Sequence, residues 1–145
     1  MAGPLILVVD DTPANLKLAV FLLTRAGFDV RTAQHATEAR AAVRAAPPAL
    51  ILMDLQLPGV DGFALTTEFK RDPGLASVPI VAMTAYAMAG DDQRARAAGC
   101  DWYLTKPIDP LTFAERIRSY LAAPDPQQGV GGGLNLKTSA PPSDL

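Results

Sequence analysis

Five short apolar segments, each divided from the next by a stretch of helical periodicity, constrain this chain more than any other feature. Leu5–Val9, Phe28–Thr32, Leu50–Met53, Pro79–Met83 and Asp101–Thr105 read as strands. Pro13–Ala26, Ala36–Ala45, Phe63–Lys70, Ala89–Ala98 and Leu111–Leu121 read as helices. The first, third and fourth segments are nearly continuous apolar runs, the pattern of strands buried on both faces by helices of a parallel sheet. Strand and helix in alternation, five times over, predicts an α/β doubly wound fold with a five-stranded parallel sheet and five helices. Local signals agree. Thr12-Pro13 supplies an N-cap and a proline at the first helical position. Gly27 and Gly99 fall just past helix ends, where a left-handed residue is needed.

The alternation stops near residue 122. Residues 124–145 hold four prolines, four glycines and only four large aliphatic side chains. Such a stretch buries too little apolar area to offset its ordering entropy, so a folded domain over residues 4–122 and a flexible tail over 123–145 are expected. Leu134 and Leu136 are the one spaced apolar pair in that tail, a weak docking signal against a passive reading. Thirteen basic and fifteen acidic side chains give no basic surface for direct contact with nucleic acid. One cysteine, Cys100, cannot form an internal disulfide and suits a cytoplasmic location. Cys100 and the single histidine, His35, are too few for a structural zinc site, and both read as inert, His35 as a solvated loop residue. No apolar run approaches the roughly 18 residues that cross a bilayer, and the N-terminus lacks the cationic start of a signal peptide.

The chemistry sits where strands end. Strand one runs into Asp10-Asp11, strand three into Asp54, strand four into Thr84 and strand five into Lys106-Pro107. In a parallel sheet these ends emerge on one edge, where open α/β folds bind ligands. Three converging carboxylates raise one another's pKa unless a cation neutralises them. Hard oxygen donors with room for water suit Mg²⁺. Aspartates also cap helices and open loops, which accounts for any one of these positions but not for all four strand ends together.

The blocks LVVDDTPANLKL, LILMDLQLPGVDGF, VAMTAYAMAGD and YLTKPI, in that order, resemble the response-regulator receiver domain, the CheY-like family with a flavodoxin-like fold. The TAYAMAGD stretch is most similar to DivK-type single-domain regulators and the receivers of hybrid kinases. The resemblance covers residues 5 to about 121 and implies strand order 2-1-3-4-5. It further implies that Asp54 is the phosphoacceptor, taking a phosphoryl group from a kinase phosphohistidine in a two-component phosphorelay. Asp11 and Asp10 would hold Mg²⁺, with Asp54 and the backbone carbonyl of Gln56 completing the protein ligands. Lys106 would offset phosphoryl charge, and its bond to Pro107 is commonly cis in the family. Thr84 would hydrogen-bond the phosphoryl group while Tyr103 swings inward as the switch aromatic, altering the surface of helix four, strand five and helix five. Trp102, on the opposite strand face, reads as packing.

Partners and lifetime follow from neighbouring positions. Gln56 and Tyr86 stand two residues beyond the acceptor and the threonine, and bulky Tyr86 is expected to shield the phosphoryl group from water. In helix one, Leu18, Ala19, Leu22, Leu23 and Ala26 are expected to face the sheet, leaving Leu16, Val20 and Phe21 towards the flank or solvent. That flank suits docking on a sensor histidine kinase or a histidine-phosphotransfer bundle. The leading reading is a stand-alone phosphoacceptor signalling domain, not an enzyme beyond its own phosphotransfer and slow autodephosphorylation. It signals by binding a downstream protein, with a phosphorylation-dependent homodimer left open. Met1, close before strand one, favours this over a receiver module of a larger hybrid histidine kinase. A phosphorylation-independent interaction domain would have no use for the acceptor site. A Mg²⁺-dependent phosphohydrolase would need a second carboxylate near Asp54, where the chain has Asp54-Leu55-Gln56.

Overall fold

The computed structural model describes residues 3–57, 62–85 and 91–122, with the backbone alone at Asp91 and Asp92. Strands β1 (Leu5–Val9), β2 (Asp29–Ala33), β3 (Leu50–Asp54), β4 (Ile80–Thr84) and β5 (Trp102–Thr105) alternate with helices. These are α1 (Pro13–Arg25), α2 (Ala36–Ala45), α3 (Gly62–Arg71), α4 (Asp91–Ala98) and α5 (Phe113–Ala122). All strand pairs are parallel, in the order β2-β1-β3-β4-β5. β3 and β4 are buried along their whole length, which explains why they read as unbroken apolar runs. Adjacent residues on a strand serve opposite cores. Ile6, Val8, Leu50, Leu52, Val81 and Met83 pack beneath α1 and α5. Leu7, Val9, Ile51, Met53, Ile80 and Ala82 pack on the other side, with α2, α3 and α4.

The two left-handed positions are as expected: Gly27 has φ of 99° and Gly99 of 110°, and no other residue among those described has positive φ. Trp102 stacks on Tyr120 of α5, ring centres 4.8 Å apart, in a packing role. Cys100 is fully buried, and burial pushes its thiol up to about 12, so it is inert at neutral pH.

One expectation is corrected. Leu16, expected towards the flank or solvent, is buried with Ala19 and Leu23, while Leu18 and Leu22 are only half-buried. Residues 16, 19 and 23 form one stripe at helical spacing, and α1 is rotated so that this stripe meets the sheet. Val20 is half-buried and Phe21 exposed, as anticipated. His35 is exposed in the loop before α2, as expected, and is also the N-cap of that helix, its Nδ1 accepting from Glu38 N–H at 3.4 Å. Glu38 Oε1 in turn accepts from Gln34 N–H, one residue before the cap, at 2.7 Å. Thr12 is the N-cap residue of α1, but its side chain makes no capping bond.

At the sheet edge remote from the strand C-termini, a buried ion pair joins three elements. Lys70 Nζ, from the last turn of α3, lies 2.9 Å from Asp101 Oδ2 and donates to the Val78 carbonyl at 2.8 Å. The same carboxylate oxygen accepts from Ile80 N–H at 2.9 Å. Lys70 and Asp101 thereby fix the starts of β4 and β5 against α3.

Candidate functional site

The strand ends converge as the parallel topology requires. Asp10 follows β1, Asp54 ends β3, Thr84 ends β4 and Lys106 follows β5. The inner three are nearly sealed from solvent, Asp10 and Asp54 at 1% exposure and Thr84 at 0%, while Asp11 is exposed. Carboxylate oxygens of Asp10, Asp11 and Asp54 all lie within 4.8 Å of one another. Lys106 Nζ bridges the buried pair, 2.9 Å from Asp10 Oδ2 and 3.3 Å from Asp54 Oδ2. The Lys106-Pro107 bond is cis.

Backbone donors hold the carboxylates in place. Gln56 N–H donates to Asp54 Oδ1 at 3.0 Å, and Thr12 N–H to Asp10 Oδ1 at 2.9 Å. These fix one oxygen of each group and leave the other to Lys106. Burial is the largest influence on Asp54 and raises its carboxyl above the ordinary range; the Gln56 N–H and the Lys106 charge oppose the rise, and Asp10 adds to it. Burial lowers Lys106, but the hydrogen bond to Asp10 and the Asp54 charge outweigh it, so the ammonium titrates above its usual value. Three carboxylates against one ammonium leave the cluster electron-rich, all oxygen in its donors, and open to water on the Asp11 side. That donor set fits a hard divalent cation.

Every strand-end residue singled out from the sequence is in this cluster. Two contacts were not anticipated. Thr84 Oγ1 donates to the Gln56 side-chain oxygen at 3.0 Å, and Asn15 Nδ2 reaches Asp10 Oδ2 at 3.4 Å. Gln56 was expected to act by its position near the acceptor, yet its side chain already engages the threonine. Tyr103 is buried in the core beneath α3 and α4, at 5% exposure. Tyr86 and the tail lie outside the described residues.

A family model described as the response regulator receiver domain matches residues 6–118. The chain belongs to that family. This receiver is 40% identical over 116 residues to the polar-differentiation response regulator DivK of Brucella anthropi, an alignment spanning 80% of this chain and 94% of DivK. Among solved structures, a response regulator from Chloroflexus aurantiacus superposes with a TM-score of 0.78 at 29% identity, covering 83% of this chain and 98% of that one. The receiver domain of a sensor histidine kinase from Pseudomonas aeruginosa gives 0.77 at 30% identity, covering 84% and 100%; that structure holds a magnesium ion in its active-site cleft. The receiver described here is accordingly a phosphoacceptor signalling domain of the two-component type. No helix among its described residues is long and apolar enough to cross a membrane.

Proposed function

We propose that Asp54 is the phosphoacceptor and that Asp10, Asp11, Thr84 and Lys106 serve the transfer. The observation that carries this is the Lys106 ammonium seated between two sealed carboxylates, with an exposed third carboxylate beside them. An ionised Asp54 oxygen attacks phosphorus, the new P–O bond forming as the P–N bond of a phosphohistidine breaks. The bonding pair returns to the imidazole nitrogen, which takes its proton from solvent. Lys106 and the Gln56 N–H maintain the anionic nucleophile against its burial. Once the phosphoryl group is in place, Lys106 offsets its charge and the Thr84 hydroxyl turns from Gln56 to a phosphoryl oxygen.

The carboxylates of Asp10, Asp11 and Asp54 and the backbone carbonyl of Gln56 would hold Mg²⁺, which when bound neutralises phosphoryl oxygens. Movement of Thr84 alters the space beside Tyr103, whose buried position supports a switch in which phosphorylation raises the inward population. The reaction is limited to phosphotransfer and slow self-hydrolysis, in the cytoplasm. Exposed Phe21 and half-buried Val20 offer a helical histidine-phosphotransfer protein or sensor kinase an apolar surface beside the site. A downstream protein then reads the altered face of α4, β5 and α5.

Intact-mass spectrometry after incubation with acetyl phosphate tests the acceptor. One added phosphoryl group is expected with Mg²⁺, and none with a chelator or in Asp54→Asn. Addition that persists in Asp54→Asn would move the acceptor elsewhere. If nothing adds, titration with beryllium fluoride decides: binding supports the site, and failure of wild-type protein to bind it rejects the reading.

A further inference from the structure

The sheet order leaves one side of β2 unpaired among the described residues. Asp29 N–H donates to the Pro4 carbonyl and the Ala33 carbonyl accepts from Asp10 N–H, both at 3.0 Å, so the odd-numbered residues of β2 bond towards β1. Alternate residues of a parallel strand turn their backbone groups to opposite sides, which directs those of Val30 and Thr32 outward. Register with Ile6 and Val8 puts the side chains of Val30 and Thr32 on the α1 face. On that face lies an open groove of about 650 Å³, lined chiefly by Leu16, Val20, Phe21, Arg25 and Thr32. Phe21, at 56% exposure, forms part of its wall. A row of outward backbone groups beside an apolar slot fits an extended segment with apolar residues two apart.

We propose that Leu134-Asn135-Leu136 of this same chain adds to the edge as a sixth strand parallel to β2, with Leu134 and Leu136 in the groove. The inference is independent of which residue accepts phosphate. Three observations select this occupant. The first is alternation: Leu134 and Leu136 fall on one face of a strand, while Asn135 falls on the other.

The second is topology. α5 shares the α1 face of the sheet, and Arg118 Nη2 donates to the Ala26 carbonyl at the end of α1 at 2.9 Å. A segment leaving α5 for the β2 edge therefore crosses the same face in the same direction as α1 does between β1 and β2. It takes the same hand as that crossover, the hand that parallel connections almost always take. Running from the end of α5, it also meets β2 in the parallel sense.

The third is reach. Leu134 lies twelve positions beyond Ala122, a stretch that spans about 20 Å as a coil and about 40 Å extended. Passing the end of α1 requires clearing a helix about 10 Å across. A segment too poor in apolar residues to fold alone gains a template of hydrogen bonds and an apolar slot at this edge. Seated there, it covers Phe21 and competes with any helix docking on that side chain.

Amide hydrogen exchange on the full chain, resolved by residue with NMR, tests the proposal. Val30 and Thr32 amides are expected to be protected in wild-type protein. Leu134→Asp with Leu136→Asp should cut that protection about tenfold or more, leaving Asp29, which bonds to Pro4, unchanged. Leu134→Val with Leu136→Val should retain it. Equal exchange at Val30 and Thr32 in wild type and the aspartate variant would overturn the proposal. So would protection that rises with protein concentration, which would assign the edge to a second copy of the chain.

Discussion

Gln56 touches both groups that the proposed chemistry must rearrange. Its backbone N–H holds Asp54 Oδ1, and its side-chain oxygen takes the Thr84 hydroxyl. Moving Thr84 onto a phosphoryl oxygen forfeits the second bond, which therefore opposes the switched state. A neutral hydrogen bond is worth about 1 kcal/mol net, or about fivefold in an equilibrium constant. Gln56→Met, which keeps the backbone donor, is expected to tighten beryllium fluoride binding about fivefold by titration calorimetry; unchanged affinity would mean that the bond does not restrain Thr84. Asp54 gives a pH prediction. Burial keeps its folded-state pKa above the unfolded one, so the native state binds more protons in that interval. Stability then falls as pH rises from the unfolded carboxylate range through the raised value, and stays lower above it. Metal-free Asp54→Asn should be more stable than wild type near neutrality by on the order of 1 kcal/mol, the scale of a single substitution. The difference should close as the solution is acidified. Urea denaturation across a pH series checks this, and a less stable variant at neutral pH would show Lys106 and Gln56 outweighing burial.

Among the elements, α3, β4 and β5 are joined by the Lys70–Asp101 pair at the end of the sheet away from the site. Asp101→Ala would strand a largely buried ammonium and remove the acceptor for Ile80 N–H. Removing one partner of a buried pair costs about 3 kcal/mol or more. A matching loss of urea stability is expected, with acetyl phosphate labelling of the remaining folded protein preserved. Labelling lost while the protein stays folded would instead tie this pair to the site. α1 shows how one helix divides its apolar residues. Leu16, Ala19 and Leu23 go to the sheet, Leu18 and Leu22 are only half-buried, and Val20 and Phe21 line the open groove by β2.

For the whole molecule, two segments far apart in sequence, at residues 10–11 and at residue 54, place like charges side by side, a cost that the fold tolerates at the site. A cation held by Asp10, Asp11 and Asp54 relieves it, so metal binding is linked to global stability. Mg²⁺ at a hundred times its dissociation constant should stabilise the protein by about 2.7 kcal/mol, seen as a higher midpoint in thermal or urea unfolding and reversed by chelator. Asp11→Asn should blunt the effect without disturbing the core, since Asp11 is exposed. A midpoint indifferent to Mg²⁺ in wild type would argue against a metal at these carboxylates.

The alternation of apolar strand runs with helical stretches determined the layered architecture by itself, because burial on two faces leaves β3 and β4 no polar positions before their last residues. The candidate site was legible for the same reason: polar residues that interrupt such runs at their C-terminal ends must meet on one edge. Gly27 and Gly99 were legible because only their backbones tolerate positive φ. Tertiary structure alone decided matters that depend on neighbours distant in sequence. With Leu16, Leu18, Leu22 and Leu23 all apolar, periodicity permits more than one buried stripe, and packing against the sheet selects Leu16 with Leu23. His35 gained its role from the extended backbone that turns Nδ1 onto Glu38 N–H. Gln56 met Thr84, and Lys70 met Asp101, across 28 and 31 residues of chain; such pairings arise only when strands and helices are brought together, since nothing local to either residue encodes its partner.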